Sequence, residues 1–270
     1  MLNKAKALSK LLATLLIPGE GETMAERLGH LLDTDPAFRA EFDRHVKAQL
    51  RVQYGQALRD LHAEMHNPDR EREVVWRLIS KVETSGLPAP EHIPALIDLE
   101  RTTREVGGTA YVRVEGMIFE ALGSVVSRHL CEAWAENTAE TRVLLSFLEE
   151  AFRYRRKYDG FTAGRRDASL EMAATIAART GDERALALLQ ESLSHPTAKI
   201  RGVAAIVVYD TYEWLGCDMP QELVDRFWQM AEEDRGKKVR QTALAVLQRL
   251  GLISYEEAMR RLEGNNGLRD

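Results

Sequence analysis

Cysteine is scarce in this 270-residue chain, with only Cys131 and Cys217, far apart. Two distant thiols make neither a disulfide framework nor a cysteine zinc cluster. They read as small apolar residues in a reducing compartment, so a cytoplasmic location is expected. Proline is sparse, at eight residues, and aromatics make up 7%. With Ala, Leu, Glu and Arg abundant, this balance favours helix over sheet. A large excess of either charge is also missing: the formal net charge is −5 and the pI about 5.9. That argues against a chain whose main task is coating nucleic acid, while a local basic patch stays open. No apolar run is long enough to span a bilayer. Residues 1–19 place lysines before a short apolar run, but no small-x-small cleavage site follows. Leu8, Leu11, Leu12, Leu15 and Leu16 instead fit one face of a first amphipathic helix. Walker A, dinucleotide-binding and Gly-x-Ser-x-Gly motifs are absent as well.

What is present is helical periodicity. Apolar residues make up 44% and charged residues 29%, an ordinary composition for a folded helical chain. Asp35 is placed as an N-cap and Pro36 as the first helical residue. Phe38, Phe42, Val46 and Leu50, then Tyr54, Leu58, Leu61 and Met65, form one apolar stripe along a long helix. Asn67-Pro68 ends it. Further helices are expected through Val75, Trp76 and Ile79, from Pro94 to the glycines at 107 and 108, and over residues 111–134. Another covers Glu140 to about Tyr154. Beyond Asp159-Gly160 the spacing predicts shorter helices near 166–180, 182–193, 197–215, 220–233, 236–250 and 254–262. Their loops are too short for crossovers, so neighbouring helices are expected to run antiparallel.

Two of these segments share a pattern. In "AKIRGVAAIVV" and "KKVRQTALAVL", Ile200-Arg201 matches Val239-Arg240, Ala204 matches Ala243, and Val207-Val208 matches Val246-Leu247. The offset is 39 residues. Val112-Arg113, Gly116 and Phe119 give an earlier copy 88 residues before Arg201. "DASLEMAATIAARTG" is a degenerate copy, with Ala173 and Ile176 in register only at a shorter offset. The small residues are expected to let helices approach closely, and Arg to reach an acidic group in a neighbouring turn.

These stretches resemble the second helix of HEAT-type repeats, best over residues 165–262. The resemblance implies an all-α fold: an α-α superhelix forming a short HEAT-like solenoid, with an irregular helical N-terminal section. The expected division is residues 1–108, then repeats over 109–264, then a frayed tail at 265–270. The paired His-Glu motifs of HEAT-type iron hydroxylases are absent.

Candidate sites follow from local composition. His62 and His66 lie four apart, the spacing for a shared metal. Glu64 is turned away and no third ligand can be assigned, so no metal and no cofactor are expected. The basic, aromatic stretch at 152–166 carries Arg153, Arg155, Arg156, Lys157, Tyr158, Arg165 and Arg166, which suit phosphate or base contacts. The same cations also suit a solvated helix end. Asp210 and Trp214 share a helix face. The expected function is a non-catalytic scaffold or adaptor that binds a protein or peptide partner. Two alternatives stand beside it: a nucleic-acid-binding or repair protein using the 152–166 loop, and a metal-dependent enzyme at His62 and His66.

Overall fold

The computed structural model describes residues 24–84, 87–106, 112–135, 138–153 and 161–264. Among these the chain is all-α: twelve packed α-helices and no strand. No described helix is long and apolar enough to cross a membrane. The expected helix over Leu8 to Leu16 lies outside the described residues.

Contacts divide the chain into two compact units. One comprises Met1–Leu61 with Trp76–Leu87, and the other His62–Val75 with Pro88–Asp270. The first contains α1 (Met24–Thr34), which the sequence reading did not anticipate, most of α2 (Pro36–His66) and most of α3 (Arg72–Thr84). Helix α2 starts as expected: the Asp35 carboxylate accepts from the amides of Ala37 and Phe38, both at 2.9 Å. The apolar stripe of α2 is buried at Tyr54, Leu58 and Leu61, but Val46 is exposed. Ile79 and Val82 of α3 are buried in the same unit, and Lys81 bonds Asp60 at 2.7 Å.

The larger unit holds the other helices. They are α4 (Ile93–Val106), α5 (Val112–Val125), α6 (Thr138–Arg153), α7 (Phe161–Thr180) and α8 (Glu183–Leu193). Then come α9 (Ala198–Leu215), α10 (Gln221–Glu233), α11 (Lys237–Arg249) and α12 (Tyr255–Gly264). The long helix expected through residues 111–134 breaks after Val125 into a π-helical turn, Val126–Leu130, and a 3-10 turn, Cys131–Ala133. Asp182 caps α8 by accepting from the amides of Arg184 and Ala185, and its other oxygen accepts from the Trp134 indole at 3.1 Å.

Packing in this unit follows a regular order. Hairpin partners α4/α5, α6/α7, α8/α9 and α10/α11 contact each other. Each helix from α4 to α9 also packs on the helix two further along. Helices α7, α9 and α11 all stop at a glycine in the left-handed region: Gly181 (φ 68°), Gly216 (φ 62°) and Gly251 (φ 73°). A side chain is strained there, so these C-caps favour glycine.

Burial shows which residues correspond. Ala204-Ala205 and Val208 of α9 are buried like Ala243-Leu244 and Leu247 of α11, at the spacing found in the sequence. Helix α7 matches α9 at another spacing, the one that aligns Gly181 with Gly216. Ala173-Ala174 then meet Val208-Tyr209, and Arg166 falls at the place of Arg201. The earlier copy at Val112-Arg113 is one residue out of register. The buried residues Val114, Met117-Ile118 and Ala121-Leu122 match α9 only when Val114 stands opposite Arg201.

Arg201 does what its placement suggests. Its Nε and Nη2 donate to the Asp234 carboxylate at 2.6 and 2.7 Å. Its Nη1 donates to the carbonyls of His195 at 2.6 Å and Pro196 at 3.0 Å. Arg240 likewise donates to a carbonyl six residues back, that of Asp234, at 2.7 Å. Burial pushes the Asp234 carboxyl up, but the bonds from Arg201 and the Gly236 amide outweigh it and hold it below the usual carboxylate range. A lowered folded-state pKa contributes stability at neutral pH that is lost as pH falls. Asp234→Asn is therefore expected to lower unfolding stability by about 2 kcal/mol at neutral pH. The gap from wild type should begin to narrow near roughly pH 4, where the free carboxyl protonates, and close as the pH falls on through the lowered value of the folded carboxyl. Urea midpoints measured across that range check both statements.

Candidate binding groove

Of the basic residues expected to form one patch, Arg153, Arg165 and Arg166 lie among the described residues. Arg165, early in α7, is buried at 7% exposure. Its guanidinium pairs with Glu115 of α5 and lies 3.2 Å from Glu100 of α4. Arg104 extends the cluster, 3.8 Å from Glu100 and 2.6 Å from Glu150. Burial pushes the Glu100 carboxyl above its usual range, against the pull of Arg165 and Arg104. The same loss of solvent pushes Arg165 down. Arg165 is thus a structural cation between α4, α5 and α7.

Arg153, at the end of α6, makes two bonds to the Glu191 carboxylate of α8, at 3.0 and 2.5 Å. Arg166 donates to the Phe152 carbonyl at 3.4 Å. Arg153 and Arg166 border a second, smaller cleft with Phe152, Glu191, His195 and Pro196. The Phe152 and His195 rings meet edge-on there, 6.0 Å apart. Arg155, Arg156, Lys157 and Tyr158 lie outside the described residues.

Asp210 sits 3.8 Å from Arg249 of α11, both exposed. Arg249 also lies over the Tyr209 ring, 5.5 Å from its centre. Trp214, one helical turn beyond Asp210, is 76% exposed.

Trp214 and Arg165 nevertheless meet at one feature, a groove of about 590 Å³. Helix α5 supplies Val112, Gly116, Phe119, Gly123 and Val126 along one face, and α7 supplies Ala168, Met172 and Thr175. Trp214 closes the side nearest α9. A methyl group at Gly116 or Gly123 would meet no atom within 4 Å beyond its own helix backbone. The expectation that Gly116 lets two helices approach closely is therefore corrected: it opens the groove instead. Sequence reasoning missed Phe119 and Met172 as groove residues. The available signal was two glycines seven apart on one helix, with Phe119 between them on the same face.

The histidine pair takes ordinary partners. His62 Nε2 lies 2.9 Å from the Asp98 carboxylate, and His66 Nε2 lies 3.4 Å from the Thr102 hydroxyl. The two rings meet edge-on at 4.6 Å. Among the described residues no group of three His, Cys, Asp or Glu side chains is placed to hold a metal ion. Burial pushes the Cys131 thiol up to about 11, which keeps it protonated and a poor nucleophile.

Comparison with known proteins finds no matching family model, no matching curated protein and no matching solved structure.

The two arginines should behave oppositely. Arg165→Met leaves buried Glu100 with only Arg104, 3.8 Å away, and half-buried Glu115 without its cation, and should cost roughly 3 kcal/mol of unfolding stability. Arg153→Ala removes an exposed pair and should cost under about 1 kcal/mol. Chemical denaturation of the two variants beside wild type gives both numbers.

Proposed function

We propose that the protein is a non-catalytic scaffold or adaptor of HEAT-repeat type. In this reading the larger unit is a short α-α superhelix that holds a protein or peptide segment in the groove along α5, α7 and α9. The packing of each helix on the one two further along supports the superhelix. So do the matched burial of α9 and α11 and the shared carbonyl hooks of Arg201 and Arg240. Small-residue faces packed row on row are what such repeats require.

One observation carries the binding role: a groove lined by the largely buried side chains of Phe119, Met172 and Val126 runs beside a solvent-exposed tryptophan. Exposed aromatic groups beside a concave apolar surface are the usual energetic anchors of protein interfaces. The nucleic-acid alternative has less support among the described residues. Arg153 and Arg165 are engaged by carboxylates and Arg166 by a carbonyl, which leaves them less free for phosphate.

Filling the groove tests the reading. Gly123→Leu adds a side chain where there is open space, so stability should change by less than about 1 kcal/mol. Partners captured from a cell extract by the immobilised wild-type protein should be lost from this variant. Capture of the same partners by both proteins would place the binding surface elsewhere.

A further inference from the structure

The groove has a charge as well as an apolar floor. Its lining includes three carboxylates: Glu115 and Glu120 on α5 and Glu171 on α7. Glu115 is engaged by Arg165. Glu120 and Glu171 are exposed and form no ion pair among the described residues. Two cations beside the described lining have partners. Arg165 is held by Glu100 and Glu115, and Arg179 donates to the Ser127 carbonyl at 2.9 Å. Glu100, behind Arg165, is a further buried carboxylate. The described lining therefore carries more negative than positive charge, and its two unpaired carboxylates stand on the two facing helices.

We infer that the segment docking in this groove is cationic, a stretch of polypeptide that sets a lysine or arginine among apolar residues. This rests on the groove being the docking site, as proposed above. The methylene stem of such a residue would lie on Phe119 and Met172, with its charged end among Glu120 and Glu171. The indole face of Trp214 offers a further contact that favours a cation over a neutral group. An acidic or phosphorylated segment would meet repulsion from both unpaired carboxylates.

The test uses the full chain and three fluorescein-labelled synthetic peptides that alternate Leu with Lys, Leu with Gln, or Leu with Glu. Binding is followed by fluorescence anisotropy. The Lys peptide should bind about tenfold more tightly than the Gln peptide, and added salt should erode that advantage. Glu120→Gln and Glu171→Gln should each weaken the Lys peptide about threefold, and Trp214→Ala about tenfold. The double variant Glu120→Lys/Glu171→Lys should turn the preference to the Glu peptide. If the Gln or Glu peptide binds wild type as tightly as the Lys peptide, and Gly123→Leu abolishes that binding, the cationic inference falls while the groove stands. If no peptide binds, or Gly123→Leu leaves binding intact, the docking reading falls with it.

Discussion

A guanidinium carries several donors in a rigid plane, and at Arg201 four of its bonds go to two different turns. Two reach the Asp234 carboxylate ahead of α11, and two reach backbone carbonyls ahead of α9 itself. The start of one helix is thereby tied both to its own entry and to the entry of the helix two further on. Apolar packing of Ala204 and Ala205 is not directional and would allow these helices to slide. The planar, paired bond to Asp234 fixes the register of α9 against α11. The positions of Arg249 beside Asp210, and of the whole far end of α9, depend on that register.

The sequence made most of the helices legible because their signals are local. Asp35-Pro36, Asp182 and the glycines at 181, 216 and 251 act through bonds or backbone angles within a few residues of themselves. The spacing of Ala204 and Ala243 was equally readable, since buried small residues recur with the helices that need them. Helix α7 reads as degenerate because its buried face matches that of α9 at a spacing other than the 39 residues that relate α9 to α11. With its end aligned at Gly181, Arg166 takes the place of Arg201. Val114 shows the converse: an arginine one residue away at Arg113 drew the sequence match, while the buried face follows the valine.

The site was less legible, and for a physical reason. A cluster of arginines in sequence looks like one electrostatic surface, but helix geometry can send one of its members inward. Arg165 turns into a carboxylate cluster drawn from α4 and α5, residues 50 and more positions away in the chain. Nothing local announces Glu100 as its partner. The groove is a matter of what is missing from a surface. Gly116 reads as a packing device because small residues usually are, and only the position of α7 shows that no atom fills the space above it or above Gly123.

Helices α9 and α11 match at their buried faces, yet α9 has 18 residues and α11 has 13. The surplus is about one turn, at the end that carries Trp214, and α11 stops short of it. The indole is left on an overhang, which accounts for its exposure in a chain whose three other tryptophans are partly covered. Such a ring senses the polarity immediately above the α5–α7 surface. Were a segment to dock there as proposed, the emission of this indole would shift as something dry settled beside it, before any label is attached.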